Sequence, residues 1–200
     1  ITLSASSSAG VHSTTQKQSL SGAVNSAFVG ESLLSLSHAA KAAAPLMMGL
    51  CAITALYAAL IAINQTHLKR MLAYASLSHM GIVGVGIFGL HITGLSGAMF
   101  LLAAQMLSTG GLFFISAMLY ERKHSFELNA YGGLAKSAPA LAALTMFILF
   151  TSIGVPGLAN FPGEFMSLLG GFQTQPVIAG LATLSVIAAG VYGVNLYQRL

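Results

Sequence analysis

Residues 154–164 read Gly-Val-Pro-Gly-Leu-Ala-Asn-Phe-Pro-Gly-Glu, and they interrupt a helix-length apolar stretch at residues 139–173. Proline removes a backbone donor and glycine relaxes the backbone, so this composition predicts a break in the helix. A broken helix persists at membrane depth only where its freed backbone groups are buried in protein or line a wet cavity. The residues predicted to form the break are Gly154, Pro156, Gly157, Pro162 and Gly163.

Glu164 directly follows this break and is the only acidic residue inside a hydrophobic segment. A carboxylate at membrane depth costs roughly 3 kcal/mol or more, so such a residue is a functional-site hypothesis by default. We expect Glu164 on the first turn of the restarted helix, where the helix dipole favours its charged form. Burial favours the protonated form. These opposed effects predict a carboxyl group that exchanges a proton during turnover.

The composition excludes a water-soluble domain. The 200 residues are 56% hydrophobic and 6% charged, with a mean hydropathy of +0.81, whereas soluble domains average about 25% charged residues. Eight Lys and Arg residues against four glutamates give a net charge of +4. They are too few and too scattered for a nucleic-acid surface, so we expect lipids and other membrane proteins as partners.

The hydrophobic pattern predicts an all-α, polytopic membrane protein with about five transmembrane helices, one of them discontinuous. A span needs about 20 mostly apolar residues. The predicted spans, which together make a domain over residues 45–200, are residues 46–63, 71–90, 94–120, 139–173 (broken near 154–163) and 177–197.

Basic residues in the short loops predict the orientation of these spans. With five spans, the loops after the first, third and fifth lie on one side. That side is therefore predicted to face the cytoplasm or the mitochondrial matrix, and it carries Lys69, Arg70, Arg122, Lys123, Lys136 and Arg199.

Residues 1–44 form a Ser- and Ala-rich N-terminal extension with one acid, Glu31. This composition is typical either of the Ser-rich, acid-poor targeting segments of organelle proteins or of a plain surface tail. Residues 33–44 are compatible with a short helix along the membrane surface. Because the first residue is Ile1 rather than Met, we expect a chain that is either processed or incomplete.

Two spans contain further polar candidates. His79 lies mid-span, and an intramembrane histidine suits either a proton relay or a neutral hydrogen bond between helices. Gln105 is the main polar side chain of the third span, where structural hydrogen bonding is the simpler role. The residues predicted to support these two by hydrogen bonds or by ordering water are Tyr74, Ser78 and Ser108.

Other features have simpler interpretations. Lys69 and Arg70 at the basic interface are expected to anchor the topology by reaching the lipid head groups. The single cysteine, Cys51, permits no disulfide within the chain and no cysteine metal site. The chain contains no nucleotide-binding glycine motif and no nucleophile elbow, so we expect no nucleotide, metal, iron–sulfur cluster or haem of its own.

Three stretches closely resemble proton-pumping, antiporter-like membrane subunits of respiratory complex I. They are residues 65–81 (Gln-Thr-His-Leu-Lys-Arg-Met-Leu-Ala-Tyr-Ala-Ser-Leu-Ser-His-Met-Gly), residues 119–134 with Leu-Tyr-Glu-Arg-Lys-His and Tyr-Gly-Gly-Leu, and residues 154–165. The resemblance covers roughly residues 42–200. A glutamate rather than a lysine at Glu164 resembles the NADH dehydrogenase subunit 4 type, here its C-terminal part.

The resemblance implies an antiporter-like fold in which charged residues form a hydrated axis along the membrane plane. Glu164 would be the terminal ionisable residue of the axis, and His79 a central relay. The chain would be a subunit of a proton-translocating NADH:ubiquinone oxidoreductase without redox chemistry of its own. NADH, FMN, iron–sulfur clusters and ubiquinone would then bind to other subunits. The implied membrane is the mitochondrial inner membrane, with a bacterial plasma membrane or thylakoid as alternatives.

The sequence departs from the family pattern at several points. Gln105 stands where the family usually has a relay histidine, which leaves water, ordered by Gln105, to bridge the gap. His67 replaces a common aspartate. The two lysine-bearing helices that precede the first span in the family, and its last helix, are absent. These gaps predict a split subunit, with a second chain supplying the upstream helices and buried lysines.

Two other functions remain open from the sequence. One is a subunit of a related Na⁺/H⁺ antiporter or membrane-bound hydrogenase, which share the broken-helix fold. The other is a structural spacer that moves no protons. The loss of histidine at Gln105 favours the spacer, while the retention of Glu164 and His79 opposes it, because a spacer gains nothing from a buried carboxylate.

Overall fold

The structure is a computed structural model that describes residues 37–199. The chain divides between Ala43 and Ala44 into two compact units, and every candidate site residue lies in the second. The helices, in chain order, are α1 (Ser37–Ile63), α2 (Leu68–Phe88), α3 (Ile92–Lys123), α4 (Leu134–Ser137), α5 (Pro139–Ile153), α6 (Asn160–Thr174) and α7 (Pro176–Arg199).

Four of these helices, α1, α2, α3 and α7, are long and apolar enough to cross a membrane. The shorter apolar helix α5 and the helix α6 are the two halves of the interrupted fifth span. Within residues 37–199 the regular structure is helical, apart from one isolated β-bridge. The predicted fold class, an all-α polytopic membrane protein with a discontinuous helix, is therefore confirmed.

Some helix ends differ from the predicted spans. Residues 37–44 continue without interruption into the first span, while residues 33–36 of the expected surface helix lie outside the described part. Helix α2 begins at Leu68, and α3 extends from Ile92 to Lys123, so both include polar residues that a hydropathy pattern leaves out.

The break between α5 and α6 follows from the glycines and proline of residues 154–158. Gly154 adopts a left-handed φ of 77°, and the Val155 N–H bonds to the Phe150 carbonyl, which closes α5 as glycine often does. The Leu158 N–H then bonds to the Val155 carbonyl across Pro156 and Gly157. With φ at 96°, Gly157 occupies the position that a type II turn reserves for glycine.

Helix α6 packs closely against α3 through small residues. A methyl group on Gly97 of α3 would lie 2.5 Å from the backbone nitrogen of Ser167, and one on Gly163 of α6 would lie 2.8 Å from the Leu101 backbone. Small residues permit such close approach of helix backbones in lipid. This contact holds the second half of the broken helix deep in the bundle, where it carries Glu164.

On the side of the bundle that carries the basic loop residues, two loops pair through backbone hydrogen bonds. The Leu68 N–H bonds to the Phe126 carbonyl at 2.9 Å, and the Leu128 N–H bonds to the Thr66 carbonyl at 2.8 Å. The ammonium group of Lys69 lies 4.6 Å from the centre of the Phe126 ring. Exposed Arg70 follows it, so both predicted interface charges lie at the start of α2, away from the buried carboxylate.

Candidate proton-transfer site

Glu164 is buried among helices, with 3% of its surface exposed. It is the fifth residue of α6, which begins at Asn160, so it does not lie in the first helical turn as the sequence led us to expect. The helix starts earlier because Pro162 and Gly163 fit within its first turn, where backbone N–H groups have no partner inside the helix. The helix dipole therefore acts on Glu164 less than predicted, and its side-chain neighbours matter more.

His79 of α2 is the nearest of these neighbours. Its Nδ1 atom lies 3.0 Å from Oε1 of Glu164, and its exposed fraction is 1%. The two atoms are not aligned as a hydrogen bond, and a small rotation of either side chain would form one. The structure therefore brings the two predicted proton-transfer residues into direct contact from different helices.

Tyr192 of α7 completes a buried row of three side chains. Its hydroxyl lies 3.1 Å from Nε2 of His79, on the ring nitrogen opposite to the one that faces Glu164. A tyrosine hydroxyl can donate to a neutral ring nitrogen or accept from a protonated one. Tyr192 can therefore hold the ring of His79 in place in either protonation state.

Gly154, at the end of α5, forms the wall behind the carboxyl group. A methyl group on Gly154 would lie 2.8 Å from Cδ of Glu164. Glycine is therefore required at position 154 for two reasons. Its backbone is left-handed, and the carboxyl group fills the space that a side chain would occupy. The break in the helix therefore provides the space that the buried carboxyl group of Glu164 occupies.

The substitution Gly154→Ala is expected to displace the Glu164 carboxyl group and to lower its proton-transfer rate several-fold. Gly157→Ala is the matched control, because Gly157 also has a positive φ but would meet no atom within 4 Å. Both substitutions carry a backbone cost of about 1–2 kcal/mol. Measurements of proton translocation and thermal stability in both variants distinguish backbone strain from displacement of the Glu164 carboxyl group. Equal losses of activity in both variants would contradict the contact between Gly154 and Glu164.

A second polar group lies where α3 faces the start of α6. The Nδ2 group of Asn160, which is fully buried, donates to Oε1 of Gln105 at 2.6 Å and to Oγ of Ser108 at 3.3 Å. The Nε2 group of Gln105 donates to the Thr109 hydroxyl at 2.8 Å. The amide of Gln105 therefore connects α3 to the first turn of α6.

The other predicted supporting residues lie in different surroundings. Ser78 donates to the Ala55 carbonyl of α1 at 2.8 Å, which ties two helices together. Tyr74 is half-buried against the hydrophobic core cluster that includes Leu68, Met71 and Leu72. Ser108 joins the group around Asn160, as described above.

Three buried residues of the site were not predicted from the sequence: Asn160, Ser167 and Tyr192. Asn160 was treated only as part of the break, although Asn160, Glu164 and Ser167 recur at the helical spacing i, i+4, i+7, which places them on one face of α6. That spacing was an available signal. Tyr192 lies in an apolar helix far along the chain, and its spacing gives no sign that it meets His79.

Among residues 37–199, no three His, Cys, Asp or Glu side chains lie close enough to hold a metal ion. The described site is instead an acid, an imidazole and a phenol in a row, which suits the transfer of protons.

The family described as NADH:quinone oxidoreductase/Mrp antiporter, TM matches residues 19–189. The chain belongs to this family. The match begins upstream of residue 42, where the quoted resemblance starts, and includes the break, Glu164 and His79.

Individual relatives carry consistent names. The chain is 46% identical over 154 residues to NADH-quinone oxidoreductase subunit 13 of Thermus thermophilus, which covers 77% of this chain and 33% of that protein. It is 41% identical over 151 residues to NADH-quinone oxidoreductase subunit M of Rickettsia typhi, covering 76% and 31% respectively. The chain thus spans about a third of the length of these relatives.

A solved structure shares the fold. A chain in respiratory complex I from Thermus thermophilus with bound NADH superimposes with a TM-score of 0.77 at 45% sequence identity. The match covers 78% of this chain and 34% of that chain. The antiporter-like fold expected from the resemblance is therefore confirmed.

Proposed function

We propose that this chain forms part of a proton-translocating membrane subunit of an NADH:quinone oxidoreductase. The observation that carries the proposal is the contact between Glu164 and His79, two titratable side chains buried on different helices within 3.0 Å of each other. A buried carboxylate in a membrane protein is retained where protons or ions pass. The names of the relatives support the same type of complex.

The transfer step is a proton exchange between the two side chains. In one state, ionised Glu164 faces a protonated His79, and in the other, a neutral carboxyl group faces a neutral imidazole. Both states have no net charge, so neither leaves an unpaired charge in a medium where such a charge is costly. When a charge approaches or leaves the pair, the relative free energies of these two states change. The pair then releases or captures a proton.

Tyr192 serves this exchange by holding the ring of His79. Protonated His79 carries hydrogens on both ring nitrogens, and after the Nδ1 proton passes to Glu164 the hydrogen on Nε2 remains, so the Tyr192 hydroxyl accepts from Nε2 in both states. The proton that moves is then the one on Nδ1, which faces Glu164. Tyr192 is a positioning residue in this scheme, and the proton passes between the other two.

The partners follow from the proposed complex. Other membrane subunits would adjoin this chain, while NADH, FMN, iron–sulfur clusters and ubiquinone would bind elsewhere. The hydrophobic helices indicate contact with membrane lipids. The membrane would be either the mitochondrial inner membrane, which the Ser-rich and acid-poor residues 1–44 favour, or a bacterial plasma membrane, which the bacterial relatives favour.

The proposed subunit is longer than this sequence, because the chain spans about a third of the length of the relatives. We infer that its remaining helices come either from further sequence of this polypeptide or from a second chain. The mass of the subunit in the purified complex distinguishes these two cases. A subunit of about this chain's 20.6 kDa would support the split form.

An ion antiporter is the second candidate, because the matched family also includes Mrp antiporters. The geometry of Glu164 and His79 suits either activity, since both move protons. Co-purification with subunits that hold flavin and iron–sulfur clusters would favour the oxidoreductase. Sodium-dependent proton exchange by a complex without these cofactors would favour the antiporter.

The substitution His79→Gln in the assembled complex tests the proposed relay. Glutamine keeps a hydrogen-bonding side chain but cannot carry a proton at useful pH, so the number of protons moved per NADH oxidised should fall. We expect the transfer rate to drop at least about tenfold, since positioned proton-transfer groups contribute 10²-fold or more and water can replace part of that. Vesicles with a pH-sensitive dye provide the measurement.

Ser185→Ala is the matched control, because it removes a buried hydroxyl that donates only to the Ala182 carbonyl within α7. It should leave translocation close to the native rate. Native translocation in His79→Gln would exclude His79 from the path and favour a spacer.

A further inference from the structure

Two polar atoms on one face of α6 are buried and have no hydrogen-bond partner among residues 37–199. They are Oδ1 of Asn160 and Oγ of Ser167, and they flank Glu164, whose Oε1 faces Nδ1 of His79 at 3.0 Å. The three residues follow each other at spacings of four and three, so they form a line along the helix. Leaving a buried polar atom without a partner costs about 1–3 kcal/mol, so the two oxygens beside Glu164 require an explanation.

The orientation of Asn160 is fixed by its neighbours on α3. Its Nδ2 group donates to Gln105 and to Ser108. A flipped amide would place its oxygen against Oε1 of Gln105, and two acceptors would then face each other. The carbonyl atom Oδ1 is therefore turned away from α3 and remains available to a donor.

Gln105 is largely committed to protein partners. Its oxygen accepts from Asn160, and its Nε2 group donates to Thr109. The sequence led us to expect Gln105 as the group that orders water next to the relay. The hydrogen bonds place Asn160 in that position instead, one helical turn from Glu164.

The helical spacing of Asn160 and Glu164 suits a single bridging molecule. Side chains at i and i+4 of a helix have Cβ atoms about 5–6 Å apart, close to the span of one water molecule with two hydrogen bonds. Buried waters typically make about three hydrogen bonds to groups that would otherwise lack a partner. A water at this position can donate to both Asn160 and Glu164.

We propose that Asn160 is a positioning residue that holds a water molecule against the carboxyl group of Glu164, and that Gln105 and Ser108 hold Asn160. The part of this water in proton transfer rests on the proposed function, whereas the water site itself does not. With this water, Glu164 has one proton partner in His79 and a second toward the start of α6. A proton can then reach or leave Glu164 without passing through His79.

The position of Ser108 indicates how water reaches this site. A pocket of about 420 Å³ lies between α3, α5 and the break, and it is lined by Ser108, Thr151, Gly157 and Ala159 among others. Ser108 thus lines the pocket, and its hydroxyl accepts from the Asn160 amide. Water that enters the pocket can exchange with the water on Glu164 through this polar contact.

A cryo-electron microscopy map of the assembled complex, at a resolution that shows water, tests the site directly. The expected result is a water within hydrogen-bonding distance of both Oδ1 of Asn160 and the Glu164 carboxyl group, which disappears in Asn160→Leu. A water held by the Gln105 amide instead, or no water between Asn160 and Glu164, would overturn the proposal.

Proton translocation in the same variants tests the role of the water. Asn160→Leu should slow transfer about tenfold, as the loss of groups that orient a reacting partner often does. Thr145→Val is the control, because it removes a buried hydroxyl that donates only to the Leu141 carbonyl of α5. Slowing of both variants to the same extent would show a packing effect and overturn the role of Asn160.

The link between Asn160 and Gln105 gives one further readout. If Gln105 acts by holding Asn160, then the double variant Gln105→Leu/Asn160→Leu should translocate protons about as fast as Asn160→Leu alone. The effects of residues that act as a unit are not additive. Fully additive losses would contradict the link. A water seen on Glu164 in the native complex, together with normal pumping by the Glu164→Gln variant, would support the water site and reject the proposed function.

Discussion

Gly97→Ala is expected to destabilise the protein by about 2 kcal/mol, although alanine is the better helix former. The new methyl group would lie 2.5 Å from the backbone nitrogen of Ser167 on α6. Backbone atoms cannot turn aside as a side chain can, so α3 and α6 must separate, and overpacking of this kind costs about 3 kcal/mol. The helix propensity of alanine offsets about 1 kcal/mol of that.

Gly110→Ala in the same helix is the matched control for this prediction. A methyl group there meets no atom within 4 Å, so this variant should be as stable as the native protein or slightly more stable. Thermal unfolding of the detergent-solubilised protein compares the two. Equal stability of both variants would contradict the close contact between α3 and α6.

The break and its acid could be predicted from the sequence because both depend on local chemistry. Glycine and proline often end helices, which places a break at Gly154 and Pro156. A single carboxylate in an apolar segment marks Glu164 without knowledge of its neighbours. The start of α6 was less predictable, because Pro162 and Gly163 are equally compatible with the break and with a first helical turn.

The partners across helices could not be predicted, because they depend on how the helices rotate against each other. Tyr192 is 113 residues from His79, and no spacing rule joins them. The contact exists because α2, α6 and α7 turn these faces toward one centre. Similarly, Ser78 faces α1 while the adjacent His79 faces Glu164, since neighbouring residues on a helix point in directions about 100° apart.

The role expected for Gln105 illustrates the same limit. From the sequence, a long amide in place of a relay histidine suggests a residue that orders water. The structure shows which of its atoms are already engaged, by Asn160 and Thr109. Hydrogen bonds between side chains on different helices are decided by packing, so the bonds from Asn160 to Gln105 and Ser108 could not be predicted from the sequence.

Glu164→Gln is expected to lower proton transfer through this subunit about 100-fold, the largest functional effect of any change considered. Glutamine has nearly the same shape and can still contact His79, but it neither binds nor releases a proton at useful pH. Removing a positioned proton-transfer group typically costs 10²- to 10⁴-fold. We take the lower end because water can replace part of the lost transfer.

The matched control is Glu121→Gln, which makes the same chemical change on an exposed glutamate near the end of α3. It loses a surface charge and should pump at the native rate. A loss in this variant as large as in Glu164→Gln would indicate a general effect of removing negative charge.

The most direct measurement is the number of protons moved per NADH oxidised by the assembled complex in sealed vesicles, with Glu164→Gln compared to Glu121→Gln. A buried acid that exchanges its proton with His79 predicts a lower stoichiometry or a blocked turnover for Glu164→Gln alone. A native stoichiometry at the native rate in Glu164→Gln would contradict the account, because the proton path would then not pass through Glu164.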